Sequence, residues 1–210
     1  MVATSRKPQS NRQQRRAEIT QWLLEATERL MADGQSFTEL SVDRLATEAG
    51  ISRATFYIYF EDKRQLLLQL TGQVTAELGA AAAIWFDVAD QATVELARRS
   101  VRQIIVVYRR HQAILTAMFE LASYDPVVAE AHRALVHGVS EQAKAALDRA
   151  VDAGATGPAH GWETSCALSW MIERTCHQMV RNSPPEADDA IAEALTEIVW
   201  RTWYLESTSP

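Results

Sequence analysis

Leu45-Ala46-Thr47-Glu48-Ala49-Gly50-Ile51-Ser52-Arg53-Ala54-Thr55-Phe56-Tyr57-Ile58-Tyr59-Phe60 reads as two short helices hinged at a glycine. The first helix of the pair starts at Ser41, whose hydroxyl can cap the open amides of a first turn, and Asp43 is well placed for the helix dipole. Val42, Leu45, Ala46 and Ala49 form its inward stripe. Gly50 follows the last periodic position, where a left-handed residue ends a helix at least steric cost, and Ile51 supplies the apolar plug under the turn. Ser52 restarts a helix as its N-cap. In that second helix Phe56 and Phe60 are spaced i, i+4 and pack inward, which predicts Arg53, Thr55, Tyr57 and Tyr59 on the other side. An outward face of hydroxyls, rings and a guanidinium suits a nucleic-acid groove. The pair therefore predicts a helix-turn-helix reader of double-stranded DNA.

Outward from that stretch the period is helical nearly everywhere, so the fold class is all-α with about nine helices. Ile19, Leu23, Ala26 and Leu30 mark a first helix over 13–32 that ends at Asp33-Gly34 and braces the reading pair. Asp62 is a natural N-cap for a helix through Leu66, Leu67, Leu70, Val74 and Leu78, the mechanical link between head and body. Further helices are expected over about 90–109, 111–122, 126–152, 161–182 and 186–206. Asp125-Pro126, Gly154-Ala155-Thr156-Gly157-Pro158 and Ser183-Pro184-Pro185 punctuate them. No alternating strand pattern competes, and no internal repeat stands out.

The net charge of −6 looks wrong for a DNA binder until it is divided. Residues 1–70 hold ten Lys/Arg against nine Asp/Glu, and residues 71–210 hold eleven against eighteen. An acidic body behind a basic face repels DNA everywhere except on the intended side, which favours orientation over raw affinity. Residues 1–16 are polar, with Arg6, Lys7, Arg12, Arg15 and Arg16. Over 1–10 this arm is either a solvated tail or a DNA contact; Arg12, Arg15 and Arg16 sit where the first helix begins and suit phosphates or a minor groove. No apolar run reaches the length of a membrane span and no signal segment opens the chain, so a soluble, cytoplasmic protein is expected. Cys166 and Cys176 would lie about 15 Å apart along one helix at 1.5 Å per residue, too far to bridge. Cys176-His177, His132 and His137 lack metal-ligand spacing, so neither a metal nor any cofactor is expected.

Gly50 to Phe60, with Lys63 just beyond, closely resembles the signature of the TetR family of bacterial transcription regulators. Within it, this spelling and Glu173-Arg174-Thr175 look most like a mycobacterial repressor type. The resemblance implies a DNA-binding domain over 14–75, with its motif at 41–60, and an effector-binding and dimerisation domain over 76–210. Phosphate contacts are expected from Arg15, Arg16, Ser41, Arg44, Tyr59 and Lys63; Arg53, Thr55, Tyr57 and Ile58 would approach base edges, Ile58 suiting a thymine methyl. Asp43 departs from relatives that carry a base-reading cation there. Either the first helix of the pair reads nothing, or Asp43 meets a cytosine amino group.

Two faces of the last two helices are apolar, as in helices shared with a partner. The resemblance implies a twofold homodimer through these helices, and Leu168, Met179, Leu195, Val199 and Trp203 are the expected interface residues. Two reading helices about 34–36 Å apart meet successive major grooves, so a palindromic operator follows. The resemblance also places a small-molecule effector, apolar or amphipathic, among the body helices. Ser100, Val101, Ile104, Tyr108, Met118 and Phe119 are candidates from the middle segment. Trp170, Ile172, Glu173 and Cys176 are candidates from the penultimate helix, and each of these residues reads equally as ordinary core. Glu173 stands out, since an unpaired carboxylate among Trp170, Cys176 and His177 must pair, protonate or bind something. The mechanism expected is ligand-controlled repression, with an effector-independent or activating regulator as the alternative. An enzyme on a helical bundle is disfavoured: no second carboxylate, nucleophile–base pair or metal motif accompanies Glu173 and His177.

Overall fold

A computed structural model of the 210-residue chain describes residues 7–204, with side chains from residue 12. Its α-helices are α1 (Lys7–Ala32), α2 (Val42–Glu48), α3 (Arg53–Tyr59), α4 (Lys63–Phe86), α5 (Val94–Arg110), α6 (Gln112–Ala122), α7 (Pro126–Asp152), α8 (Gly161–Thr175) and α9 (Asp188–Trp203). Among the described residues there is no strand, and no helix is long and apolar enough to cross a membrane. α1 starts at Lys7, earlier than its apolar period predicts. Of the arm read as either a solvated tail or a DNA contact, positions 7–10 are helical and positions 1–6 lie outside the described residues. α4 runs on to Phe86 because the alanine-rich turn 79–83 keeps helical propensity.

The chain divides into two compact units, Met1–Gln73 with Ala113–Val128 and Val74–Gln112 with Ala129–Pro210. The first is built on Ile19, Leu23, Ala26 and Leu30 of α1, the stripe expected from the sequence, which meet Leu45, Phe56, Phe60, Leu66 and Leu70 in a buried core. α6 belongs to this unit, contributing buried Ile114, Leu115 and Met118. Arg29 ties α1 to α2, donating from Nε to Glu48 Oε1 at 2.8 Å.

In the second unit α9 lies against α5 with Ile191, Leu195, Val199 and Trp203 buried. Its rotation is fixed along one edge by ion pairs. Arg98 and Arg102 reach Glu193 at 2.9 and 3.3 Å, and Arg109 meets Asp188 at 2.5 Å while donating to the Ser183 carbonyl at 3.0 Å. At the other end Trp203 packs on Trp85 and Phe86, with ring centroids 4.4 and 5.6 Å apart. The Tyr204 hydroxyl donates to the Ala89 carbonyl at 3.0 Å. α8 ends in a π-helical turn, Cys176–Val180, where a plain α-helix was expected.

Candidate nucleic-acid interface

The hinge between α2 and α3 closes as the residues dictate. Ser41 Oγ accepts from the Arg44 amide at 3.1 Å and Ser52 Oγ from the Thr55 amide at 3.0 Å, so both helices carry a side-chain N-cap. Gly50 sits at φ +69°, a left-handed conformation that costs other residues about 1–2 kcal/mol. Its amide donates to Thr47 O and the Ile51 amide to Ala46 O, the paired bonds of a Schellman turn. Phe56 and Phe60 are buried with centroids 5.4 Å apart, which fixes the rotation of α3.

That rotation changes which residues face out. Ile58 lies two residues from each phenylalanine, about 200° round the helix, and is 65% exposed; Arg53, Ala54 and Tyr57 share the outer side. Thr55 and Tyr59 are half-buried, contrary to the sequence reading. The Thr55 hydroxyl is 2.8 Å from that of Ser52 and so serves the helix cap.

Asp43 and Arg53 form an ion pair across the hinge, Nη1 to Oδ2 at 2.8 Å, with their side chains 60% and 61% exposed. The Arg53 guanidinium also lies over the Tyr57 ring at 5.6 Å. Neither the silent Asp43 nor the cytosine-reading one anticipated this partner. An ion pair so exposed contributes about 0–1 kcal/mol to folding.

Lys63, expected at a phosphate, is engaged within the chain. Its ammonium donates to the carbonyls of Phe37, Thr38 and Leu40 at 3.2, 2.8 and 2.5 Å, so its three N–H groups close the α1–α2 loop. Burial lowers its pKa from the ordinary lysine value. Arg15 donates to Glu18 at 2.9 Å and lies 4.8 Å from the Trp22 ring, while Arg16 lies 5.9 Å from Phe60. Ser41 and Arg44 remain on the exposed side of α2.

The sequence of residues 23–70 matches the model for bacterial regulatory proteins of the tetR family. The HTH-type transcriptional regulator EthR of Mycobacterium tuberculosis is 30% identical over 185 residues, 86% of this chain and 84% of that protein. This chain belongs to the TetR family. Its class of function is accordingly DNA-binding transcription regulation, and the mycobacterial likeness read from the motif extends over most of the length. FadR from Bacillus subtilis, solved with stearoyl-CoA, has the same fold at a TM-score of 0.67, with 16% identity over 85% of this chain and 96% of that one. FadR from Thermus thermophilus, solved with lauroyl-CoA, superposes at 0.63 with 20% identity, covering 91% and 98%.

The effector candidates of this TetR-family chain are shared between the two units. Met118 and Phe119 fall in the first unit; the other eight fall in the second. Ser100 is committed to structure, donating to the Ala81 carbonyl at 2.8 Å, and Val101 is buried core. Ile104 and Ile172 are half-buried, and Trp170 is exposed. Glu173 finds its mate on α7, where His132 Nε2 donates to its Oε1 at 2.9 Å and the His132 ring meets Trp170 edge-on at 5.4 Å. The π-turn carries Cys176 and His177 inward together, and the Tyr108 hydroxyl lies 3.2 Å from His177 Nδ1. Burial pushes the Cys176 thiol up to about 12, with Glu173 and Asp188 adding to the shift. Burial also raises the Tyr108 hydroxyl, and burial with Arg181 and Arg174 lowers His177. These groups are thus neutral hydrogen-bonding partners near pH 7. Among the described residues no group of three or more His, Cys, Asp or Glu is arranged to hold a metal ion.

Three of the expected interface residues lie in the core of the single chain. Leu195, Val199 and Trp203 are buried within a single copy, and the arginines of α5 pair with the acidic edge of α9 beside them. Leu168 is half-buried and Met179 exposed. The outward residues are Ala167 and Trp170 on α8 and Ala190, Ala194 and Ile198 on α9. Their small and apolar side chains give the sequence signal for this face, an i, i+4, i+8 stripe on α9 between Asp189, Glu193 and Glu197.

Proposed function

We propose that this regulator binds a palindromic operator as a homodimer, represses from it, and is released by a small apolar or amphipathic effector. The observation that carries the DNA reading is the outer side of α3, where Arg53, Tyr57 and the uncovered Ile58 stand on a helix whose rotation Phe56 and Phe60 fix. A guanidinium suits guanine acceptors, a phenol suits polar base edges and a branched apolar side chain suits a thymine methyl. Residues 14–75 act as the reading domain, with Ser41, Arg44, Arg15 and Arg16 toward the backbone, and residues 76–210 as the effector and dimerisation domain.

The effector reading rests on two hydrogen-bonded polar pairs carried by helices of the second unit. Tyr108–His177 and His132–Glu173 offer donors and acceptors beside Val101, Ile104, Ile172 and Trp170. The two FadR proteins were solved with acyl-CoA, which makes long-chain acyl compounds the first class to try. α4 holds residues of both units along one helix, Lys63–Gln73 and Val74–Phe86. An effector that disfavours the DNA-bound form by about 3 kcal/mol lowers operator affinity more than a hundredfold, enough for induction.

The test is selection of genomic fragments by purified protein at physiological salt, then release from the selected operator by acyl-CoAs, free fatty acids and small aromatic amphiphiles. Enrichment of an inverted repeat and release by one class supports the reading. Enrichment without release by any compound, and without thermal shift, leaves an effector-independent regulator.

A further inference from the structure

Asp43 and Arg53 belong to different helices, and the contact between them closes nothing that is otherwise open. The hinge is already held by the Ser41 and Ser52 caps, the Gly50 turn and the buried Phe56 and Phe60. The pair stays largely in solvent. A carboxylate on the face that meets DNA also repels every duplex, whatever its sequence. Its role is therefore sought in what it does to Arg53.

We infer that Asp43 is a specificity-determining positioning residue, which holds the Arg53 guanidinium edge-on so that it reads one base pair instead of the backbone. This rests on the DNA-binding reading above. Arginine presents five N–H donors in a planar fork. Asp43 accepts from Nη1 at 2.8 Å and the Tyr57 ring covers one face of the plane at 5.6 Å. The far edge keeps donors for O6 and N7 of a guanine, the commonest base contact of arginine. An untethered arginine reaches phosphates as readily, and phosphates carry no sequence information. Charge pairing with Asp43 weakens that competing route. Fixing the long side chain beforehand also reduces the rotamer freedom lost on docking.

The test uses the full chain, the variants D43A, D43N and R53A, and the double variant D43A/R53A. Each selects from a library of random duplexes at one salt concentration; the wild-type winner and a random duplex are then titrated with every variant. The expected wild-type motif contains a G·C pair whose preference R53A abolishes. At that pair D43A loses about tenfold in preference, and D43N, which keeps a neutral acceptor, loses about threefold. Both bind the random duplex more tightly, by about two- to fivefold, having removed a like charge. In the R53A background, D43A produces no further loss. D43N preserves shape and keeps the test valid if D43A melts early.

Undiminished preference in both Asp43 variants overturns the inference. So does a loss at a different base pair that persists without Arg53, which would mean that the carboxylate itself reads a cytosine. A wild-type chain that enriches no sequence overturns the DNA-binding reading and the inference together, a result distinct from enrichment that D43A leaves intact.

Discussion

His177 is held as a neutral base in the second unit. Burial depresses its pKa, Arg181 and Arg174 add repulsion, and Glu173 opposes them in part. The Tyr108 hydroxyl, 3.2 Å from Nδ1, finds an acceptor there only while the ring is unprotonated. Since the folded value lies below the unfolded value of about 6.5, the unfolded chain takes the proton first. Stability from this residue is complete above about pH 6.5 and is lost as pH falls through the folded value. The melting temperature of wild type should therefore drop more steeply from pH 7 to pH 5 than that of His177→Gln; parallel curves would remove His177 from the acid limb. A second side chain is tested by salt. Because Lys63 binds three carbonyls of its own loop, Lys63→Met should lower unfolding free energy by about 2–3 kcal/mol in denaturant titration. It should leave the salt dependence of DNA binding unchanged, whereas a slope smaller by one phosphate would restore Lys63 to the interface.

The α2–α3 hinge was legible because its determinants are local. A cap is read from one hydroxyl and the amides that follow it, a left-handed end from one glycine, and the inward side of α3 from two phenylalanines four residues apart, although Thr55 and Tyr59 lie nearer that side than expected. Gly50→Ala should thus cost about 1–2 kcal/mol by forcing an alanine to φ near the observed +69°, measured as a lowered melting temperature with weakened binding to every duplex. A variant as stable as wild type would mean that the turn relaxes to another conformation. What sequence reading missed was set by contacts distant along the chain. Glu173 gave no sign that His132, far from it in sequence, would be its mate. Lys63 gave no sign that the ends of α1 and α2 would offer it carbonyls. The π-turn at Cys176–Val180 widens the helix by one residue per turn, which no periodicity count over a uniform α-helix reveals. α9 is the instructive failure. Ile191, Leu195, Val199 and Trp203 turn inside one copy, and the arginines of α5 that pair with Asp188, Asp189 and Glu193 lie far from them along the chain.

For the homodimer proposed above, the burial on α9 leaves a different side free for a second copy. With Leu195, Val199 and Trp203 already inside one copy, a contact of that proposed dimer through the last helices would draw on exposed residues such as Ala167, Trp170, Met179, Ala190, Ala194 and Ile198. Alanines let helix backbones approach closely, and Ile198, 44% exposed in the single chain, supplies the apolar anchor at the end of the stripe. A twofold axis sets this face against itself, so one substitution acts twice. Ile198→Glu then places two like charges in a dry contact where neither has a partner, which disfavours association by several kcal/mol. It leaves the monomer core untouched, because the residue faces away from α5. Leu195→Ala has the opposite signature: it removes buried volume from each copy and costs about 2–4 kcal/mol of folding while the outer stripe stays intact. Sedimentation equilibrium and thermal melting together separate the two. Ile198→Glu should sediment as a folded monomer and lose operator binding, since one reading helix retains only half of a palindrome. Leu195→Ala should melt early and still sediment as a dimer at low temperature. A dimeric Ile198→Glu protein with a monomeric Leu195→Ala counterpart would mean that α9 meets its partner through the side that faces α5 here.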